Sequence, residues 1–367
     1  MSSQIYEGQI PDGWKVIKLG EISLIKTGSR NNQDKSSDGE FPFFVRSATV
    51  ERINTYSYDC EAILIPGEGG IGSIYHYING KFDAHQRVYV IRDFNKNIDA
   101  KFVFFALKEF FGKYALQNTV KATVDSLRLP TFQNFEFLIP SDKAEQERIA
   151  QVLSDMDDLI SAKCELLDKK RAIKQAAAQQ LLTPKPHWHT TTIGEICEIS
   201  AGGDLNRLTF SPIKTDKFLN PIYSNAVSDN GLYGYSSDFD YEGNFITVTA
   251  RGYIGYAAAR NGKFCSIGRL LNLKPKFNIS CFYVAEYINH FIDFVIESTG
   301  VPQLTAPQIS KYKISLPKDK TEQEKIAQIL SDMDDEISAL QDEIEKLKMI
   351  KQGAMDELLS GKIRLKG

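Results

Sequence analysis

Three groups of residues could carry chemistry. Gly67-Glu68-Gly69-Gly70-Ile71-Gly72 has the GxGxxG spacing of a dinucleotide-phosphate loop and follows the strand-like AILIP. That chemistry needs a helix opening at the last glycine. The chain continues instead as SIYHYING, which reads as a strand ending on a turn, so the segment is a glycine-rich loop in a β domain. None of the Gly-Lys pairs (Gly80-Lys81, Gly112-Lys113, Gly262-Lys263, Gly361-Lys362) is followed by Ser or Thr, so none is a phosphate-cradling P-loop. His187-Trp188-His189 offers two imidazoles beside a proline, short of the three or four ligands a zinc site takes. The Ser-Asp-Met-Asp-Asp strings at 154–158 and 331–335 spread Asp155, Asp157 and Asp158 around a helix, an acidic band facing solvent or a partner. No GxSxG elbow occurs. The residues predict a protein that is not an enzyme and that needs no metal or cofactor.

Recognition is what remains. The loops of the first half mix cations, amides and an imidazole: Arg30, Asn31, Asn32, Gln33, Arg46, Arg52, Lys81, His85, Gln86, Arg87 and Lys121. The second half does the same with Arg207, Asn225, Arg251, Tyr253, Tyr256, Arg260, Lys263, Arg269 and Gln303. Arg and Lys reach guanine O6/N7 or phosphate, and Asn and Gln pair with adenine, so the inventory suits base readout in duplex DNA.

The frame for these loops is a soluble, charge-balanced chain of 367 residues, 42% hydrophobic, with 44 Lys+Arg against 47 Asp+Glu. A net charge of −3 excludes a protein that coats nucleic acid by bulk charge alone. No apolar run approaches the ~18–20 residues of a membrane span, and MSSQIYEGQIPDGW has no secretory-signal pattern. The five cysteines are scattered without a CxxC pair, so a reduced, cytoplasmic setting is expected.

Self-comparison then divides the chain. Residues 144–183 and 321–360 agree at more than half their positions, through AEQERIAQVLSDMDD and TEQEKIAQILSDMDD. Fainter pairs precede them: GWKVIKLGEI with HWHTTTIGEI, GGIGSIYHYINGKF with GYIGYAAARNGKF, and LIPSDK with SLPKDK. The strong copies read as helices opened by capping boxes at Asp142–Glu145 and Asp319–Glu322, and closed by Pro184 and Gly361. Ile326, Leu330, Met333, Ile337, Leu340, Ile344 and Leu347 make a heptad seam; Ile149, Leu153, Met156, Ile160 and Leu167 keep it, with Lys163 and Lys170 interrupting. The partner for each helix is the other. The expected organisation is a tail (1–12), an α/β domain (13–140), a long helix (141–185), a second α/β domain (186–317), and a second helix with a tail (318–367).

The whole chain resembles the DNA specificity subunits of Type I restriction–modification enzymes. The resemblance rests on Gly13-Trp14 with Leu19-Gly20-Glu21-Ile22, on the duplicated helix starts Pro140…Glu145-Gln146…Ile149-Ala150 and Pro317…Glu322-Gln323…Ile326-Ala327, and on the LL-[TS]-[PG]-K helix ends. It implies an α+β fold of two pseudo-repeated target-recognition domains joined by two long helices in an antiparallel coiled coil. Each domain would read one half of a bipartite site in double-stranded DNA, with the helices as a ruler. The implied partners are two methyltransferase subunits and the restriction–translocation subunits, which would supply all catalysis. With one helical turn of ~34–36 Å between grooves, a fixed spacer of roughly 5–8 bp is expected, and a four-residue insertion in helix 144–183 should alter the spacer alone. Two other readings stay open: the specificity chain of a Type IIG-like methyltransferase, and a coiled-coil scaffold with protein-binding heads.

Overall fold

The computed structural model describes residues 10–119, 125–295 and 302–365. Its contacts separate two units, residues 1–164 with 342–367, and residues 165–341.

In the first unit, β1 (Trp14–Lys18) runs into a single helical turn, α1 (Leu19–Ile22), and a sheet is then laid down from β2 (Leu24–Thr27), β3 (Phe41–Phe44), β4 (Glu51–Ile53), β5 (Tyr58–Pro66), β6 (His76–Ala84) and β7 (Val88–Arg92). The strand order is β2-β7-β5-β6-β3-β4. β5 shows why it forms: Ala62 and Leu64 point into one buried cluster with Phe44, Phe82 and Val90, while Ile63 and Ile65 point into another with the helices. The second cluster holds α2 (Ala100–Ala106), whose turns continue through α3 (Gly112–Gln117), and α4 (Leu129–Gln133). β8 (Glu136–Pro140) returns antiparallel to β1 and leads into α5 (Lys143–Leu182).

The second unit repeats this with β9 (His189–Thr192), α6 (Ile193–Ile196), β10 (Cys197–Ala201), β11 (Phe210–Ser211), β12 (Asn220–Tyr223), β13 (Leu232–Ser236), β14 (Tyr241–Val248), β15 (Ala257–Ser266), β16 (Leu271–Pro275), α7 (Cys281–Phe291), α8 (Ala306–Ile309), β17 (Lys313–Leu316) and α9 (Lys320–Leu358). Its sheet order is β10-β16-β14-β15-β12-β13-β11, and β17 pairs with β9. Packing details recur: Trp14 sits edge-on to Phe102 and Trp188 edge-on to Tyr283, while Tyr58 stacks on Phe82 and Tyr241 on Phe264.

Each unit contains part of both long helices, packed antiparallel. In the first, Ile149 and Leu153 of α5 share the core with Met355, Leu358 and Leu359, Ile344 is buried, and Met156, Ile160 and Leu347 are half-buried. In the second, Leu167 and Leu340 are buried, Ile326 and Leu330 join Ala178 and Leu182 in the core, and Met333 and Ile337 are half-buried. The two lysines that interrupt the apolar repeat reach across the helix pair: Lys163 lies 2.8 Å from Glu343, and Lys170 2.6 Å from Glu336. The acidic strings serve the same pairing, since Asp157 takes Lys351 and Asp334 takes Lys174.

The helix starts depart from the expected capping boxes. Asp142 and Asp319 do cap, accepting from the backbone N–H of Ala144 (3.0 Å) and Thr321 (2.9 Å). Glu145 and Glu322 do not reach back. Glu145 binds Arg364, and Glu322 accepts from Trp188 and contacts Lys185 and His187, because charged donors lie within reach, from the segment after α9 in the first case and from the connection between α5 and β9 in the second. Among the described residues no helix is long and apolar enough to cross a membrane.

Candidate nucleic-acid interface

In the first unit four loops at strand ends are tied together by backbone hydrogen bonds. Arg30 N–H donates to Ala84 O (3.1 Å), Gln86 N–H to Arg30 O (2.8 Å), His85 N–H to Phe44 O (2.9 Å) and Gly67 N–H to Arg87 O (2.8 Å). Leu127 N–H then donates to Gly67 O at 2.8 Å. These bonds satisfy main-chain groups that have left the sheet, and so fix where the loop side chains emerge.

Glu68 is at the centre of this group. It is 18% exposed and takes Arg46 Nη1 at 3.5 Å and Arg87 Nη1 at 3.3 Å, while the two arginine side chains stay about half exposed. Gln86 donates to Asn31 Oδ1 at 2.7 Å. Buried His85 accepts the Arg87 N–H on Nδ1 at 3.0 Å; burial, then Arg46 and Arg87, push its pKa down and keep the ring neutral. The loop 67–72 is braced from behind, where Gly72 packs backbone to backbone on Gly112.

The second unit repeats the frame. Gly268 N–H donates to Gly203 O (2.9 Å), Ile267 N–H to Tyr223 O (2.9 Å), and Leu304 N–H to Ala250 O (2.9 Å). Here Arg251 donates from Nε (3.0 Å) and Nη2 (2.6 Å) to Gln303 Oε1. Asn225 ties the loops, accepting from Ala250 N–H (2.6 Å) and donating to Gly268 O (2.7 Å). Arg269 is exposed, with a left-handed φ of 69° and no bonded partner among the described residues.

The residues chosen by type therefore divide. Asn31, Arg46, Gln86 and Arg87 come together in one domain, and Asn225, Arg251, Arg269 and Gln303 in the other. Tyr253, 68% exposed, stands in the same loop as Arg251. Asn32 and Arg207 are exposed at the start of matching 3-10 turns. Lys81 and Lys263 hold corresponding hairpin positions, 4.6 Å over the Tyr56 ring and 4.3 Å over the Phe239 ring. Other groups are spent inside their domain. Arg30 donates to buried Asp83 at 2.9 Å, Arg52 to Gly39 O at 2.9 Å, and Tyr256 to Asn230 at 2.5 Å. Arg260, 8% exposed, lies 3.6 Å over the Tyr223 ring and donates to Thr247. Lys121 lies outside the described residues.

Glu68 falls outside the inventory of cations and amides that suits base readout. The signal was present: PGEGGIG laid on TARGYIG sets Glu68 against Arg251. The GxGxxG string is followed by β6, without a helix, so the loop is no dinucleotide site. No group of three His, Cys, Asp or Glu that could hold a metal occurs among the described residues. The site presents hydrogen-bond donors on a fixed loop frame, twice.

Two α+β domains with duplicated loop frames, each packed on paired long helices, define a recognition protein of repeated construction. The chain belongs to the Type I restriction modification DNA specificity domain family, whose profile matches residues 11–169 and again 186–349. It is 28% identical to a putative type I specificity subunit of Mycoplasma pneumoniae, across 84% of this chain and 86% of that protein. It is 27% identical to the putative type I restriction enzyme MjaX specificity subunit of Methanocaldococcus jannaschii, across 98% and 96%. The crystal structure of a Type I restriction–modification S subunit from M. genitalium shares the fold, with a TM-score of 0.74 at 17% identity over 96% of this chain and 98% of that one.

Proposed function

We propose that this chain is the non-catalytic DNA-reading subunit of a Type I restriction–modification complex, each of its two target-recognition domains (13–140 and 186–317) contacting one half of a bipartite site. The observation that carries the reading is the duplicated loop frame fitted with different side chains: one scaffold, two targets. Base-reading types gather there, Arg46, Arg87, Gln86 and Asn31 in one domain, and Arg251, Arg269 and Gln303 in the other. Methyltransferase subunits, and with them restriction–translocation subunits, would supply adenine methylation and cleavage, and the complex would work in the cytoplasm.

The near-neutral charge balance implies that much of the salt-sensitive phosphate affinity comes from the partners. Gel-shift titration of the full chain with and without its methyltransferase subunit tests this. Assembly is expected to tighten binding to one gapped sequence. Equal binding in both states would contradict the division of labour, and adenine methylation by the purified chain alone would contradict the non-catalytic assignment.

A further inference from the structure

The two domains can be superposed through their loop hydrogen bonds, and this assigns partners residue by residue. Gly28 N–H donates to Val88 O as Gly202 N–H does to Leu270 O (2.9 and 2.7 Å). Phe44 and Tyr223 accept from His85 and Ile267, and Gly67 and Ala250 accept from Leu127 and Leu304. Counting from these fixed points, Arg46 corresponds to Asn225, Glu68 to Arg251, Ser126 to Gln303 and Arg87 to Arg269.

The contents of these matched places differ in kind. Of these four places only that of Arg87 and Arg269 carries a cation in both domains, each the third residue past the end of a strand, in the connections 85–87 between β6 and β7 and 267–270 between β15 and β16. Elsewhere the charge pattern is exchanged. The first domain holds Arg46 against the carboxylate of Glu68. The second has an amide at the first of these places and a cation at the other: Asn225 ties the loops, and Arg251 projects on the carboxamide of Gln303. A feature common to two domains that read different sequences cannot tell those sequences apart, whereas a feature unique to each can. Phosphate contacts are of the first sort and base contacts of the second.

We propose that Arg87 and Arg269 are the shared backbone-phosphate contact of the two domains, and that Arg46 and Arg251 are their half-site-specific base readers, aimed by Glu68 and Gln303 respectively. This rests on the DNA-reading function proposed above. Glu68 and Gln303 are positioning residues: each holds part of a guanidinium and leaves the rest to face a base edge, where Arg suits guanine O6/N7. Arg87 also touches Glu68, and the shared carboxylate sets the spacing between phosphate anchor and reader in the first domain.

The test uses the full chain with its methyltransferase subunit, a randomised duplex pool, and salt titrations on the selected site. Arg87→Ala and Arg269→Ala are expected to leave the selected sequence unchanged, to weaken binding to every sequence alike, and to lower the slope of log K against log salt by about 1. Arg46→Ala is expected to relax one position of one half-site by roughly ten- to a hundred-fold, and Arg251→Ala one position of the other. Glu68→Gln and Gln303→Ser, which keep the readers, are expected to blur those same positions partially. Where an alanine variant fails to fold, Arg46→Lys and Arg251→Lys replace it, because they keep the charge and lose the bidentate geometry. A changed base preference in the Arg87 or Arg269 variants, or uniform weakening in the Arg46 and Arg251 variants, overturns the assignment. A wild-type complex that selects no gapped sequence overturns the DNA reading itself.

Discussion

Glu145 and Arg364 stand 219 residues apart in the chain and meet in a two-point ion pair, Nε to Oε1 at 2.6 Å and Nη2 to Oε2 at 2.7 Å. The start of α5 is thereby clamped to the segment following α9, beside Trp14. The carboxylate is 3% exposed and the guanidinium 19%. Removing one partner leaves the other buried and unmatched, so Arg364→Ala should destabilise the first unit by about 3 kcal/mol. The Arg364 guanidinium holds the Glu145 pKa below the usual glutamate range. Folding therefore releases a proton, and the stability so gained is complete above the ordinary glutamate pKa of about 4.3 and is lost as pH falls through the depressed value. Denaturant titrations in acid should show this slope in the wild type and a shallower one in Arg364→Ala.

Gln146 and Gln323 hold the same post in the two units. Gln146 accepts from Asp99 N–H (2.8 Å) and donates to Pro140 O (2.8 Å), and Gln323 accepts from Ser280 N–H (3.0 Å) and donates to Pro317 O (2.9 Å). Both are nearly sealed from solvent, at 1% and 2% exposure. Either Gln→Ala change strands one buried N–H and one buried carbonyl, a loss of about 2–4 kcal/mol. Gln→Glu should cost at least as much, since a carboxylate cannot donate to the proline carbonyl. Hydrogen exchange at Asp99 and Ser280 would check this: protection should drop at the mutated unit and hold at the other.

These two glutamines mark the limit of what the residue pattern makes legible. The duplicated EQ and the heptad seam are both visible, because repetition and periodicity are properties of order along the chain. The helix pairing followed from Leu330 and Ile344, and the two-domain plan from the copies. What Gln146 does depends on Asp99, 47 residues away, and no local pattern encodes that meeting. The candidate interface divides in the same way. Arg46, Arg87, Arg251 and Gln303 were found by type, but Arg260 is of the same type and is buried against Tyr223. Exposure is set by strand register, which side-chain chemistry does not reveal. Glu68 lies outside that inventory because it holds two arginines, and an acid among loop cations is meaningful only once its neighbours are known.

Glu286 reverses the acid dependence of Glu145. It lies on α7 beside a cavity of about 890 Å³, 3.7 Å from Lys174, and its Oε2 has no hydrogen-bond partner. Burial raises its pKa; Lys174 and His290 draw it back and Asp334 adds to the rise. The folded chain thus keeps this proton to higher pH than the unfolded one, and the associated stability is present below the ordinary glutamate range and fades as pH rises through the raised value. Lys174 keeps Asp334 at 2.6 Å when Glu286 is neutral. Glu286→Gln should therefore be neutral or stabilising at pH 7, with the gain over wild type shrinking towards pH 4. Thermal melts at the two pH values decide it, and a large loss at pH 7 would show that the charge is needed.

Gly72 links loop shape to the proposed readout. Its φ is +72°, and a Cβ there would meet Gly112 Cα and O at 2.8 Å, while a Cβ on Gly112 would meet Gly72 O at 2.6 Å. Two backbones pass with no room for a methyl group, which pins loop 67–72, and Glu68 with it, to the helical side of the first domain. Gly72→Ala adds a left-handed alanine to a backbone clash, and should cost about 2–3 kcal/mol locally. Gly80→Ala is the control, since its φ of +142° is also unfavourable for alanine but nothing lies within 4 Å. If loop position aims Arg46 and Arg87, Gly72→Ala should lower affinity through the first half-site, with faster hydrogen exchange along 67–75, and leave selection at the second half-site intact. Gly80→Ala should lose some stability without changing the selected sequence. Equal damage to both half-sites by Gly72→Ala would mean that the loop supports the fold at large and does not aim the two arginines.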